Sequence, residues 1–491
     1  MIHTERATIA MNDSRKWLRF VAIALGTFMG YLDSSIVNIA LPTLTHYFEA
    51  DITVVNWVVT SYLLMITGLV VIFGRLADMY GRRRLYILGL LLFSVSSALC
   101  GAAPTIWTLV AFRCLQGVGA AALLANGAAL ITETFPSGER GKALGMIGSV
   151  LAVAVIIGPL LGGFLTEHVG WRSIFYLNVP VGLAGALLAA RLLPKTEVRK
   201  SDERFDYPGA IILFAFLSCF LFLTSLLSNP QWQFAVVVPL LIVAIILAVV
   251  FFIVETRVGY AVLDLSIFRD RAFSAASLSS FLSFWAVSSI SFLLPFYFDR
   301  VLLLNPTMSG ALLAPVPIIL VVVAPLGGHL ADRFGVRAIC TTGASINCLG
   351  LLFLSTLNMN TSRLGVILRL IPFGLGMGLF QPPNNSAMMG AVPTNRLGIV
   401  SGMISALKNL GSMTGVAVTT AVLAITQFAM LNKLQGLGVA SAIAERQSFV
   451  AAVRATALLS AGVCAVVVFT SFSRGHRQVD RKDANLAKVE S

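Results

Sequence analysis

The chain has 491 residues, of which 57% are hydrophobic and 12% are charged. A soluble domain carries about 25% charged residues, so this chain has too few polar side chains to cover a surface that faces water. The composition also excludes a disordered chain, which needs low hydrophobicity and a high density of charge. A mean hydropathy of +0.88 therefore predicts an integral membrane protein with many spans.

Apolar runs long enough to cross a bilayer, about 20 residues each, recur along the whole chain. Because backbone polar groups cannot stay unpaired in lipid, we expect each run to be a helix. The fourteen predicted spans lie at about 18–41, 54–76, 85–103, 107–132, 143–166, 172–193, 208–228, 232–254, 272–299, 307–330, 337–356, 364–390, 398–425 and 449–472.

These spans predict two six-helix halves, 18–193 and 272–472, with a two-helix insert at 208–254. An even number of spans places both termini on one side. Most of the 35 Lys and Arg residues lie on loops of that side, so the positive-inside rule places both termini in the cytoplasm of a cell-membrane protein. The same bias explains the net charge of +13 without a nucleic-acid partner. The remaining predicted segments are the N-terminus 1–17, a linker 194–207, a loop 255–271 and the C-terminus 473–491.

The first span contains Asp33, the one clearly intramembrane carboxylate of the sequence. A charge at the bilayer centre costs about 2.5–3.5 kcal/mol on insertion scales, so we expect Asp33 to face a water-filled cavity. Burial favours the neutral acid and a bound cation favours the carboxylate, so one group can exchange a proton for a cationic compound. The alternative is a structural hydrogen bond to a neighbouring helix. Tyr31, Asn38 and Tyr62 are candidates for the cavity wall, and Asn38 also fits a packing role between helices.

A ten-residue segment after the second span occurs again in the second half. GRLADMYGRR (Gly74–Arg83) and GHLADRFGVR (Gly328–Arg337) agree at six positions. Two like-oriented halves around a midplane site are an architecture of secondary transporters. Glycines permit a tight turn, and an aspartate there can cap a helix or pair with an arginine of the other half. We therefore predict a gating hinge. The alternative is that its arginines only fix the orientation of the chain in the membrane. The residues of the hinge are Gly74, Asp78, Gly81, Arg82, Arg83, Asp332 and Arg337.

The fourth span places Arg113 and Gln116 on one face, because they are three residues apart. A buried arginine needs a partner. The two side chains therefore either tune proton release from Asp33 or belong to a purely structural network.

The fifth span contains three glycines and a proline within six residues. Proline removes a backbone hydrogen bond and bends a helix, and small residues let helices approach closely. We predict a bend and a close contact between the halves at Gly158, Pro159, Gly162 and Gly163.

These segments resemble signatures of the major facilitator superfamily. Gly74–Arg83 is similar to its loop 2–3 signature, the segment around Arg113 to its fourth-span signature, and Gly158–Leu165 to its antiporter signature. Leu32–Pro42 and Trp171–Gly182 resemble signatures of the fourteen-helix drug:proton antiporter branch. The resemblance implies an all-α integral membrane fold with 14 spans arranged as 6+2+6, and proton-coupled export of hydrophobic, cationic compounds by alternating access.

Lys408 in the thirteenth span suggests an alternative class of cargo. Together with Arg113 it suits an exporter or exchanger of an anionic or amphiphilic metabolite. A receptor that transports nothing is a further alternative, which Asp33 and the duplicated hinge disfavour. The sequence contains no nucleotide-binding or zinc-protease motif, and its six cysteines lie in apolar runs as small hydrophobes. We therefore expect no cofactor and no enzymatic activity, with the proton gradient as the energy source. The expected partners are the bilayer, protons and small hydrophobic cations. The sequence does not decide whether an accessory efflux protein also takes part.

Overall fold

A computed structural model of the protein describes residues 2–136, 139–194, 207–227, 234–257, 265–391 and 397–473. The predicted linker and C-terminus lie almost wholly outside these residues, as does part of the predicted loop 255–271. The described chain is helical. The first half contains α1 (Ile2–Tyr47), α2 (Ile52–Tyr80), α3 (Arg82–Gly101), α4 (Ile106–Thr134), α5 (Arg140–His168), α6 (Ser173–Tyr176) and α7 (Asn178–Leu192).

The insert and the second half continue the same antiparallel path. The insert contains α8 (Tyr207–Leu227) and α9 (Phe234–Arg257), and a short 3₁₀ turn (Leu265–Arg269) leads into the second half. The second half contains α10 (Arg271–Arg300), α11 (Pro306–Leu313), α12 (Pro315–Phe334), α13 (Val336–Leu354), α14 (Arg363–Gly390), α15 (Leu397–Gly436) and α16 (Ser441–Phe472).

Within the described residues, thirteen helical segments are long and apolar enough to cross a membrane, and α8 contributes a shorter apolar helix, Pro208–Leu223. The fold class is thus confirmed as an all-α integral membrane protein, and α8 as a fourteenth span is consistent with it. Two predicted spans are divided. The sixth consists of α6 and α7, and the tenth consists of α11 and α12, where Pro315 begins a new helix. α1 extends well before its predicted start at residue 18.

Contacts between helix ends define the two faces of the bundle. At the end of α1, His46 Nε2 lies 2.9 Å from Oδ2 of Asp299 at the end of α10. We call this side the distal face. Ser279 near the start of α10 bonds to Thr470 near the end of α16, at 2.8 Å. α1 therefore begins, and α16 ends, on the other side, which we call the terminal face.

The repeated segment folds into the same turn twice. Gly81 ends α2 with a φ of +97°, and Gly335 ends α12 with a φ of +87°. Each donates its N–H to the carbonyl four residues earlier, on Ala77 and Ala331. L side chains rarely adopt this backbone conformation, which explains why both copies carry glycine.

The hydrophobic cores show how the halves meet. One core crosses both halves toward the distal face and includes Leu41 and Phe298. Toward the terminal face the cores are separate, with Phe93 in the first half and Phe273 in the second. For the part of the chain that the structure describes, the halves are packed together at the distal face and parted at the terminal face. The space between them therefore opens toward the terminal face.

The insert packs on one side of the bundle. Leu217 and Leu221 of α8 lie in a small core with Leu64 of α2 and Met413 of α15. α8 thus covers the line along which the two halves meet on that side. The outer helix α9 exposes most of its apolar side chains, including Ile242 and Phe252, which suits a surface that faces lipid.

Candidate functional site

Four helices of the first half bring polar side chains into one buried cluster. α1 contributes Asp33, α4 contributes Arg113 and Gln116, α7 contributes Asn178 and α3 contributes Ser97. Each of these side chains is at most 2% exposed. We call this set the Asp33 cluster.

The central contact of the Asp33 cluster is an ion pair. Arg113 Nη1 lies 2.5 Å from Asp33 Oδ2 and 2.6 Å from Gln116 Oε1. Gln116 donates its amide N–H to Asp33 Oδ1 at 2.9 Å. Arg113 and Gln116 therefore lie on the same face of α4, as their spacing predicts. The guanidinium and the amide bind opposite oxygens of the same carboxylate.

Two further polar groups complete the shell of Asp33. Asn178 Nδ2 donates to Asp33 Oδ1 at 3.0 Å and lies 3.2 Å from the hydroxyl of Ser97. Ser97 also accepts from Gln116 at 3.1 Å and donates to the carbonyl oxygen of Phe175 at 2.8 Å. Each described partner of the carboxylate donates a hydrogen bond to it, and both of its oxygens are occupied as acceptors.

The rest of the Arg113 side chain is held by α2. Its Nε donates to the carbonyl oxygen of Val58 at 2.9 Å, and its guanidinium carbon lies 4.0 Å from the centre of the Tyr62 ring. A cation over an aromatic face is stabilised by the ring quadrupole. Tyr62 is 1% exposed. The structure thus corrects the expectation that Tyr62 lines the cavity, because its ring supports Arg113 instead.

The same burial changes the expectation for Asp33. The carboxylate is 0% exposed, so in this conformation it faces polar side chains rather than a water-filled cavity. Protonation would cancel the ion pair and leave Arg113 as an unpaired buried cation, which is costly. The cluster therefore joins α1 to α2, α3, α4 and α7 through the contacts of one carboxylate.

The hinge residues lie near the terminal face. Arg82 forms an ion pair with Glu133 at 2.8 Å, and Arg83 donates to the carbonyl oxygen of Ala190. Both partners belong to the first half. The side chain of Asp78 lies outside what the structure describes, so its predicted pairing across the halves stays a prediction.

The second copy of the hinge is arranged differently. Asp332 is exposed, and the guanidinium carbon of Arg337 lies 4.5 Å from the centre of the Phe472 ring. Gly74 is half-buried, and a methyl group placed on it would meet no described atom within 4 Å. The contacts described for Arg82, Arg83 and Arg337 each lie within one half of the chain.

The four residues of the fifth-span motif lie at two helix contacts. A methyl group on Gly158 would lie 2.5 Å from Ser35 Cβ, and one on Gly162 would lie 2.9 Å from the carbonyl oxygen of Ile36. Gly158 and Gly162 therefore let α5 approach α1 closely. A methyl group on Gly163 would overlap the carbonyl group of Pro306, and one on Gly310 would overlap the carbonyl group of Pro159. Gly163 and Pro159 therefore face α11 of the second half.

Comparison with known proteins decides the family. The family model described as Major Facilitator Superfamily matches residues 23–214 and 207–416. The chain belongs to this superfamily. It is 34% identical over 404 residues to the riboflavin transporter RibZ of Clostridioides difficile (strain 630), covering 82% of this chain and 87% of that protein. It is 34% identical over 410 residues to the multidrug resistance protein Stp of Mycobacterium tuberculosis (strain ATCC 25618 / H37Rv), covering 83% and 76%.

A third relative and two solved structures agree with this assignment. The multidrug transporter protein MdtP of Bacillus subtilis (strain 168) is 30% identical over 413 residues, covering 84% of this chain and 76% of that protein. A bacterial homologue of the human lysosomal transporter Spinster, in an inward-facing and occupied conformation, matches with a TM-score of 0.67 at 13% identity over 92% of this chain and 95% of that chain. The human organic anion transporter MFSD10 matches with a TM-score of 0.61 at 14% identity over 93% and 99%. These structures show the fold, and the chain is a multi-pass membrane transporter of the Major Facilitator Superfamily.

The remaining predicted cavity residues of this facilitator are three side chains that are not fully buried. Tyr31, Asn38 and Lys408 are half-buried. Lys408 Nζ lies 5.3 Å from the centre of the Phe284 ring. No ion-pair partner of Lys408 is found among the described side chains, so this cation is held near an aromatic face.

Three placements were not anticipated from the sequence of this facilitator. Asn178 belongs to the segment Trp171–Gly182 that carries the branch resemblance, yet only the fold brings it to Asp33. Glu255 is a second buried carboxylate, 3% exposed near the end of α9. Arg369 lies in the second turn of α14, where its Nε donates to the hydroxyl of Thr356 at 2.9 Å.

Proposed function

We propose that this facilitator is a proton-coupled exporter of hydrophobic, cationic compounds, of the fourteen-helix drug:proton antiporter kind. Its termini would lie in the cytoplasm, it would use no cofactor, and the proton gradient would supply the free energy. Relatives named as a multidrug resistance protein and a multidrug transporter protein support the export of drugs. One elementary charge moved through 100 mV is worth about 2.3 kcal/mol, which sets the scale of the driving force.

The observation that carries the proposal is the buried ion pair of Asp33 and Arg113, 2.5 Å apart and 0% and 1% exposed. In the proposed cycle, a proton taken up by Asp33 frees the carboxylate from Arg113, and its release restores the pair. Because the cluster joins α1 to four neighbouring helices, this exchange would change how the first half packs. The proton would thereby bias the two access states, as a coupled transporter requires.

A cargo panel in inverted membrane vesicles tests the proposal. Lipophilic cations, neutral dyes and anionic dyes are added singly, and proton movement across the membrane is followed with a pH-sensitive fluorophore. We expect cations to evoke proton efflux from acidified vesicles that contain the transporter, and we expect no response from vesicles that lack it. Proton movement evoked by anions alone, or cation transport without any proton movement, would contradict the proposal.

A second candidate function is the export of an anionic or amphiphilic metabolite. It is favoured by Lys408, whose charge has no described acidic partner, and by a relative named as a riboflavin transporter. Arg113 does not support it in this conformation, because Asp33, Gln116 and the Val58 carbonyl occupy its guanidinium. Lys408→Gln separates the candidates: loss of transport of an anionic dye with cation transport retained would favour the metabolite.

A further inference from the structure

Two cysteines of the second half lie at the same crossing between α13 and α16. Cys348 Sγ on α13 donates to the carbonyl oxygen of Ala461 on α16 at 3.4 Å. Cys464 Sγ on α16 donates to the carbonyl oxygen of Ala344 on α13, also at 3.4 Å. Each thiol therefore reaches across to the backbone of the other helix. Because each acceptor lies about one helical turn from the thiol on its own helix, both sulfurs belong to the same turn of the interface.

The two thiols also contact each other. The thiol groups of Cys348 and Cys464 are hydrogen-bonded to one another, and both cysteines are free. The acceptors Ala344 and Ala461 are 1% and 3% exposed. Because alanine carries a single methyl group, the two backbones come close enough at this crossing for the sulfurs to meet. We call this pair the Cys348/Cys464 dithiol.

The dithiol differs from the other cysteines of the chain in the kind of partner it has. The other four cysteines are described with partners that are not thiols: Cys100 with Gln116, Cys114 with Ser61, Cys219 with Leu240 and Cys340 with Phe380. The Cys348/Cys464 dithiol instead presents two sulfur atoms that can bind to one ligand atom.

The dithiol lies close to the lipid-facing surface of the second half. Cys348 is half-buried, whereas Cys464 is 1% exposed. The outer faces of both helices carry exposed hydrophobic side chains, such as Leu349 on α13 and Val466 on α16, which suits contact with acyl chains. A ligand that approaches from the bilayer crosses an apolar medium. This favours a neutral molecule over an ion, which would have to lose its hydration shell.

The chemistry of two adjacent thiols narrows the ligand further. Thiol sulfur is a soft donor and prefers a soft acceptor atom. A trivalent arsenical, R–As(OH)₂, is neutral and can exchange both hydroxyl groups for thiols. Two As–S bonds form and two As–O bonds break, and each thiol proton leaves with a hydroxyl group as water. The exchange creates no charge in the apolar interface and needs no oxidant, whereas a disulfide would need one to accept two electrons.

We propose that Cys348 and Cys464 form a dithiol binding site for neutral trivalent arsenicals, which bridge α13 to α16. The site lies in the second half, apart from the Asp33 cluster of the first half, and it does not depend on the proposed transport cycle. Because the second As–S bond forms within one molecule, the pair should hold an arsenical about 10²–10⁴-fold more tightly than a single thiol does.

Arsenic retention by the full-length protein in proteoliposomes tests the site. The probe is phenylarsine oxide, which forms the dihydroxy arsenical in water. Excess probe is washed away with the monothiol 2-mercaptoethanol, and the arsenic that stays on the protein is measured by elemental mass spectrometry. We expect retention of about one arsenic atom per chain, because the monothiol cannot match the two linked sulfurs. Dithiothreitol, which itself offers two thiols, should remove it.

Single variants decide whether both sulfurs bind the same arsenic atom. Cys348→Ser and Cys464→Ser should each lower the retained arsenic about a hundredfold, because a single thiol loses the arsenical to the wash. Cys219→Ser is the matched control, since it removes another half-buried thiol that bonds to a backbone carbonyl, and it should retain as much arsenic as the wild type. Half retention in each single variant, an equal loss in Cys219→Ser, or no retention by the wild type would overturn the proposal.

Thermal unfolding in detergent provides a second measurement. Without the arsenical it shows that the variants are folded, and Cys348→Ser carries the test if the buried Cys464→Ser is unstable. Phenylarsine oxide should raise the melting temperature of the wild type and of Cys219→Ser, because a ligand that binds the folded state stabilises it. It should not raise that of Cys348→Ser. An equal rise in all of these proteins would place the arsenical elsewhere and overturn the site, whatever the cargo panel shows.

Discussion

At the scale of single residues, Asp33 and Arg113 depend on one another. Asp33→Asn keeps an amide oxygen that can accept from Gln116 or Asn178, but it leaves Arg113 as an unpaired buried cation. Removing one partner of a buried pair costs about 3–5 kcal/mol. We expect Asp33→Asn to abolish cargo-evoked proton movement in vesicles while the protein still reaches the membrane at a reduced melting temperature.

The double variant Asp33→Asn/Arg113→Gln separates coupling from stability. It removes the stray charge, so thermal unfolding in detergent should shift back toward the wild-type value. Proton movement should remain absent, because no titratable carboxylate is present in the cluster. Proton coupling that persists in Asp33→Asn, or returns in the double variant, would show that another group carries the proton.

Tyr62 provides a second prediction at this scale. Its ring lies 4.0 Å beneath the guanidinium of Arg113, and its hydroxyl makes a long bond of 3.3 Å to the Gly30 carbonyl. Tyr62→Phe should therefore behave nearly as wild type. Tyr62→Leu should lower the stability by about 1–2 kcal/mol, because it removes a desolvated cation–π contact. Thermal unfolding of both variants checks this, and equal damage by Phe would assign the role to the hydroxyl.

At the scale of helices, α5 has two kinds of glycine on one face. Gly163 touches the backbone of Pro306, whereas Gly148 faces open space. Gly163→Ala should push α5 away from α11 and reduce cargo transport severalfold, since a closely packed backbone contact has no room for a methyl group. Gly148→Ala is the matched control and should transport at the wild-type rate. Transport assays at equal protein level test this prediction. Wild-type turnover in Gly163→Ala would show that the contact between Gly163 and Pro306 plays no part in gating.

The helices and their motifs were largely predictable, and their contacts were not. Hydrophobic run length placed the spans, because lipid forces every backbone polar group into a helix. The duplicated segment predicted equivalent turns at Gly81 and Gly335, and both have positive φ. The contacts of Asp33 with Asn178 and of Phe214 with Gly68 join residues far apart in the chain, and no local pattern encodes them.

At the scale of the whole molecule, transport requires that the two faces open in turn. In this conformation the distal face is closed by Glu167, which accepts from Asn305 at 2.9 Å and from the backbone N–H of Thr307 at 3.1 Å. These groups lie at the start of α11, where a carboxylate is favoured by the helix dipole. The terminal face is predicted to be closed, in the opposite state, by Asp78. The two carboxylates would therefore bias the same equilibrium in opposite directions.

Glu167→Ala should destabilise the closed distal face, whereas Asp78→Asn should destabilise the closed terminal face. Each single variant should slow turnover with little change in cargo affinity, because Glu167 acts at the distal face and Asp78 is predicted to act at the terminal face. The double variant should lie nearer to wild type than either single variant, since the two effects on one equilibrium offset each other. Spin-label distances across each face measure the populations directly. If both single variants shifted these distances in the same direction, the two faces could not be coupled as alternating gates.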